Sequence, residues 1–162
     1  MGHLFGVSKP TVCRVVKRVS GRIARMYNSK IKLPADQDFL ASLKRDFYKI
    51  AEFPGVVGAI DCTYVAIQSP GGDHPELYRN RKGYFSMNVQ AVCGPDLRFH
   101  NVVARWYGSA HDSTIFHHSR LHGEIANGDF PDCHLLGDAG YPCKSFLLTP
   151  IANPRTPAEQ RY

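Results

Sequence analysis

Twelve consecutive residues, Val56-Val57-Gly58-Ala59-Ile60-Asp61-Cys62-Thr63-Tyr64-Val65-Ala66-Ile67, form the most apolar stretch of the chain and are rich in β-branched side chains. The run is too short for a long helix, and its composition is that of a buried strand. One residue contradicts that setting. An ionised carboxylate at Asp61 would lose roughly several kcal/mol of hydration inside such a strand, so it needs a cation or strong hydrogen-bond donors. Two partners meet that need: a bound metal ion, or a buried arginine such as Arg105.

The segments around this strand supply the rest of a sheet. Phe85 to Cys93 alternates, with Met87, Val89, Ala91 and Cys93 on one face and Ser86, Asn88 and Gln90 on the other. Gly94-Pro95-Asp96 is a turn, and Leu97 to Tyr107 returns as a third strand of an antiparallel meander. Asp112 to Ile125 reads as a helix, closed by Asn127-Gly128-Asp129, and Cys133 to Gly137 as a short fourth strand. Before the sheet, Asp36 is placed to cap a helix carrying Phe39, Leu40, Leu43, Phe47 and Ile50 on one side, ended by Pro54-Gly55. The expected fold class is α+β (α/β by some schemes). Its β-β-β-α-β core with a helical N-terminal extension is the order of a ribonuclease-H-like fold, which other α+β folds share.

In that order the first and fourth strands can lie side by side and parallel, bringing Asp61 close to Asp138 in Leu135-Leu136-Gly137-Asp138-Ala139-Gly140. Two adjacent carboxylates repel, and a hard divalent cation, Mg²⁺ or Mn²⁺, relieves that repulsion. Paired metals of this kind clamp the attacking and leaving oxygens of a phosphodiester. Asp138 taken alone also reads as a turn-forming residue. Asp112, in Gly108-Ser109-Ala110-His111-Asp112-Ser113, either caps the following helix or joins the acids, with His111 beside it. Arg79, Arg81 and Lys82, around Asn80, are candidates to grip substrate phosphates, or they decorate an exposed loop. His117 and His118 lack a matched carboxylate and read as structural or exposed.

The charge is unevenly spread. Residues 1–32 contain eight cations and no carboxylate, whereas residues 33–162 hold 12 cations against 14 carboxylates. A basic segment on a near-neutral domain points to a polyanion, or else to a solvated helix face. Val12, Val16, Val19, Ile23 and Met26 mark one apolar helix face, with Ser8 at the cap and Pro10 in the first turn. Leu4-Phe5-Gly6-Val7 reads as the end of a preceding helix turning at Gly6. This is a partial helix-turn-helix, with Arg14, Lys17, Arg18 and Arg25 off the apolar stripe and available to DNA phosphates or base edges. The expected organisation is a basic partial helix-turn-helix over 1–32, a helical connector over 33–55 and a nuclease domain over 56–162.

No apolar run approaches the roughly 20 residues of a membrane span, and the first thirty residues carry no signal-peptide core. A membrane partner is therefore not expected. The five cysteines are an odd number and include no CxxC pair, which reads as reduced thiols rather than a disulfide frame or zinc clamp.

Several ordered motifs together resemble the PIF/Harbinger transposase family, in particular the Harbinger transposase-derived nucleases of the DDE superfamily. They are Phe53 to Ile67, Tyr78-Arg79-Asn80-Arg81-Lys82-Gly83-Tyr84-Phe85-Ser86-Met87-Asn88, Gly108-Ser109-Ala110-His111-Asp112-Ser113, Leu135 to Tyr141, Thr149-Pro150-Ile151 and Asn153 to Tyr162. The resemblance implies a ribonuclease-H-like, metal-dependent DNA endonuclease whose first acid is Asp61, with Asp138 and Asp112 as the further catalytic and metal-binding acids. It also implies a nuclear location, with the cytoplasm as a second one, and work alongside a separate Myb-like DNA-binding protein. The resemblance places the family's last carboxylate, a Glu on a helix, farther beyond Asp138 than Tyr162 lies, and Glu159 is a poor substitute because it follows Pro154 and Pro157 in a loop. The expectation is thus a chain truncated at both ends, as a fragment or a decayed copy. The alternative to an enzyme is a noncatalytic DNA-associated binding module.

Overall fold

A computed structural model of the chain describes residues 6–157 and Glu159. It divides into two compact units, residues 1–32 and 33–162.

In the first unit the apolar spacing gives helix α1, Lys9–Arg25, followed by a single turn, α2, Tyr27–Lys30. Gly6 turns the chain with φ +63°, while Leu4 and Phe5, assigned to a preceding helix, lie outside the described residues. Ser8 occupies the cap position, but its hydroxyl sits 3.0 Å from Thr11 Oγ1 and bonds no backbone N–H. Arg14, Lys17, Arg18 and Arg25 are all exposed. Val16, Val19, Ile23 and Met26 on the apolar stripe are exposed as well.

The second unit opens with α3, Gln37–Ala51, whose first turn is capped as expected: the Asp36 carboxylate accepts from Phe39 N at 2.8 Å. Leu40 and Leu43 carry this helix into the core, while Ile50, expected on the same side, is exposed. Strands β1 (Val56–Ala66), β2 (Ser86–Cys93) and β3 (Phe99–Tyr107) form the antiparallel meander. The third strand starts two residues later than Leu97 because Leu97 sits at the turn with φ +64°, a conformation strands do not use. The expected Asp112–Ile125 helix is two: α4, Asp112–His117, and α5, Arg120–Ala126. The break falls where Ser119 takes extended geometry and accepts from His122 N at 3.0 Å, capping α5. Such competition from a serine side chain favours a helix start over a helix interior.

β4 (His134–Leu136) pairs parallel with β1, and a two-residue strand not expected from the sequence, β5 (Leu147–Leu148), pairs parallel with β4. The sheet order is β3-β2-β1-β4-β5, a mixed five-stranded sheet in an α+β arrangement. Leu40, Leu43, Ile60, Val92, Phe116, Leu121, Leu135, Tyr141 and Leu147 belong to one core cluster that joins helices and sheet. Among the described residues no helix is long and apolar enough to cross a membrane, and all five cysteines are free.

Strand β2 reverses the usual relation between polarity and burial. Its polar residues Ser86, Asn88 and Gln90 are buried, at 0%, 1% and 1% exposure, and share that face with Val92. Met87, Val89, Ala91 and Cys93 are only half-buried. A strand that buries polar side chains must satisfy them, and their partners define the site described next.

Candidate active site

The site forms where the C-terminal end of β4, the turn before α4 and the buried polar face of β2 come together. Asn88 Nδ2 donates to Ala110 O at 2.9 Å and to Asp112 Oδ1 at 3.1 Å. Gln90 Nε2 reaches Asp112 O at 3.4 Å and Tyr141 Oη at 3.4 Å. The cap position of α4 belongs to His111, whose side chain makes no cap bond, and Asp112 is the first helical residue. Its carboxylate is therefore held by Asn88 instead of serving as a cap.

Asp138 lies two residues past β4, with Oδ1 accepting from Gly140 N at 2.9 Å. That bond is the turn-forming role the residue was given when read alone. It also leaves the carboxylate next to Asp112. A Cβ added at Gly140 would stand 3.0 Å from Asp138 Oδ1 and 3.4 Å from Asp112 Oδ2. The absence of a side chain at 140 is what lets the two acids share this space. Among the described residues neither carboxylate has an ion-pair partner.

Asp61 is placed differently from the burial expected of it. The register pairs Ala59 with Leu136, so Asp61 and Asp138 each stand two residues beyond the last β1–β4 pair. However, Asp61 is exposed. The pleat sends it, with Ala59 and Thr63, to the face opposite Cys62, where it borders an open hollow of about 230 Å³ with Val89, Ala91 and Cys93. One carboxylate oxygen accepts from Cys62 N at 2.7 Å. Arg105, the alternative partner, instead donates to His118 O at 2.6 Å. Asp61 thus solves its desolvation problem by exposure, because only the first half of β1 is covered. Among the described residues, no three His, Cys, Asp or Glu side chains converge closely enough to hold a metal.

Next to the acids is a pair that no sequence pattern of its own singles out, half-buried Cys62 and buried Tyr141. Cys62 Sγ and Tyr141 Oη are 3.3 Å apart, with Gln90 Nε2 3.9 Å from the sulfur. Burial pushes the Cys62 thiol up to about 12, and it raises the Tyr141 phenol further. Both groups are neutral neighbours of the carboxylates. The signal that could have found these residues is Ser86-x-Asn88-x-Gln90, three amide or hydroxyl side chains at strand period facing one way.

A cavity of about 190 Å³ is bordered by Tyr64, Arg81, Ser109, His111, Asp112 and Gly140. Gly108, also on its wall, approaches β2 so closely that an added Cβ would collide with Tyr78 O and the Ser86 side chain. The three loop cations separate. Arg79 is bound to Glu76 at 2.6 Å and donates to Gly83 O at 2.9 Å. Arg81 borders the cavity, and Lys82 is exposed outside its lining.

An α+β domain that brings an aspartate opening α4 and another just past β4 together, near an arginine, has the chemistry expected of a phosphodiester-cleaving domain. The comparisons identify the class: residues 60–162 match the family described as "DDE superfamily endonuclease", and the chain belongs to that family. The particular relatives are Harbinger transposase-derived. "Putative nuclease HARBI1" of Rattus norvegicus is 38% identical over 162 residues, covering 100% of this chain and 46% of the relative. The Homo sapiens protein of the same name is 36% identical over the same coverage. "Protein ALP1-like" of Arabidopsis thaliana is 28% identical over 174 residues, covering 99% of this chain and 42% of the relative. The chain spans less than half the length of these curated relatives. No solved structure gives a significant match.

Proposed function

We propose that this chain carries the acidic centre of a metal-dependent DNA endonuclease of Harbinger transposase descent, on a ribonuclease-H-like sheet. The observation that supports it most is the convergence of the Asp112 and Asp138 carboxylates on the space above Gly140 without a cation. Like charges so placed raise each other's energy, and the available donors are hard oxygens. That donor set fits Mg²⁺ or Mn²⁺ and does not fit a soft metal. When bound, the divalent cation supplies charge to the phosphate and acidity to the attacking water.

The chain's own residues do the rest. Asn88 orients Asp112, the Gly140 N–H orients Asp138, and Gln90 ties the Asp112 backbone carbonyl to the Tyr141 hydroxyl. Asp61 stands at the same level of β1 but on the opposite face, bordering a separate hollow. The strand order and the parallel β1–β4 pair support the ribonuclease-H-like assignment.

In this reading α1 is the second helix of a helix-turn-helix and presents Arg14, Lys17, Arg18 and Arg25 to DNA. The resemblance adds a nuclear location and a separate Myb-like DNA-binding partner. A second reading, a noncatalytic DNA-associated module, is favoured by one observation: Asp61 faces away from the Asp112–Asp138 space.

Calorimetric titration with Mn²⁺ tests the proposal. The intact chain should take up the ion at millimolar concentration or below, and Asp112→Asn and Asp138→Asn should each weaken uptake at least about tenfold, some 1.4 kcal/mol. A folded chain that takes up no Mn²⁺ overturns the metal-dependent reading and leaves the binding module. Retained uptake in Asp61→Asn, with plasmid cleavage lost, would place Asp61 outside the first metal's ligand set.

A further inference from the structure

We propose that Arg81 is the residue of this site that grips the substrate's phosphate, and that the neighbouring Arg79 and Asn80 serve to hold it there. The ligand class is the phosphodiester backbone of a nucleic-acid strand. The inference rests on the nuclease reading and deepens it by assigning different tasks to cations adjacent in the sequence.

Arg79 is already spent. Its Nε and Nη2 bond the two Glu76 oxygens at 2.6 and 3.1 Å, Nη1 donates to Gly83 O at 2.9 Å, and the guanidinium lies 4.5 Å from the Phe85 ring centroid. A guanidinium neutralised by a bidentate carboxylate and stacked on a ring has little left for a phosphate. Its function is to close the loop, which it does together with the isolated bridge between Arg79 and Phe85.

Asn80 fixes the loop from inside. It is 4% exposed. Its Nδ2 donates to Ser86 Oγ at 2.8 Å, while its Oδ1 accepts from Lys82 N at 2.9 Å and Tyr84 N at 3.4 Å. Backbone bonds from Asn80 N to Tyr84 O at 3.0 Å and from Gly83 N to Asn80 O at 2.9 Å complete a closed turn, with Gly83 at φ +86°. The 3₁₀ turn Pro75–Tyr78, ahead of the loop, is joined to the cavity wall, where Ser109 N donates to Leu77 O at 3.1 Å. The backbone at Arg81 is thereby set relative to the Asp112 turn.

Arg81 itself is exposed and, among the described residues, has no side-chain hydrogen bond or ion pair. It borders the same cavity as Asp112 and Gly140. The Asp112 carboxylate on the cavity wall, with Asp138 beside it across Gly140, repels a polyanion. An uncommitted guanidinium on its wall counters that repulsion, and its planar donor fork matches two oxygens of one phosphate. Lys82 is outside the lining and has no such position.

The test is a fluorescence-anisotropy titration of the full chain with a labelled DNA duplex over a series of KCl concentrations. A phosphate contact contributes about 0.9 to the slope of log K against log salt. Arg81→Gln should lower the slope by about that amount, and Arg81→Lys should restore it. Arg98→Gln, at the exposed β2–β3 turn and ion-paired to Asp96 at 3.3 Å, controls for net charge and should leave the slope unchanged. Folding is not at stake, since the Arg81 side chain is exposed; thermal melting of the variant checks this. A wild-type slope in Arg81→Gln, or an equal loss in Arg98→Gln, overturns the inference alone. A wild-type chain that binds no DNA at any salt overturns the nuclease reading with it.

Discussion

Cys62 illustrates how much at this site depends on single buried atoms. Burial is the main reason its thiol is held at about 12, and burial likewise raises Tyr141 beside it. Both groups bind their proton more tightly folded than unfolded. Their contribution to stability is therefore complete below about pH 8.5, the unfolded thiol value, and is lost as pH rises toward 12. Urea midpoints measured from pH 7 to 11 should be level and then fall, and Cys62→Ala should flatten part of that fall. Iodoacetamide at pH 8 should modify the exposed Cys13 and Cys143 and leave Cys62 unmodified. Asp61 carries the opposite lesson at the same scale. Its position inside an apolar run is plain in the sequence, but its exposure depends on what covers β1, which the run itself does not encode.

At the level of elements, local chemistry was legible where it acts locally. The Asp36 cap of α3 was readable because the carboxylate and the N–H it accepts from are three residues apart. Asp36→Ala should cost about 1 kcal/mol, read as a lowered urea midpoint with unchanged slope. The parallel placement of β4 beside β1 was also anticipated, since the β-β-β-α-β order permits it. The single helix over 112–125 was not a good reading. Ile115, His118, Leu121, His122 and Ile125 fall roughly on one side and hide a break that Ser119 makes by capping α5. β5 was missed because two residues offer no periodicity; only its pairing with β4 makes it a strand. On β2 the alternation was read correctly, yet it did not reveal that the polar side is the buried one.

For the whole molecule, charge and compactness divide at nearly the same place. The unit of residues 1–32 contains all the positive excess, and the described cations of α1 are exposed. Replacing Arg14, Lys17, Arg18 and Arg25 together by Gln should weaken duplex binding strongly at low salt. If each meets a phosphate, the salt slope should fall by about 3.6. Unchanged binding would mark α1 as a solvated face.

Residue type and spacing alone determined α1 and α3, the three long strands, the uneven charge and the family motifs, because each depends on interactions within a turn or along one strand. The tertiary structure alone decided which acids share a space, which face of β2 is buried and which loop arginine is uncommitted. Those properties arise between residues far apart in sequence: Asn88 and Asp112, Cys62 and Tyr141, Arg81 and Gly140. Their distances are set by how strands pair and helices pack, which no local pattern specifies.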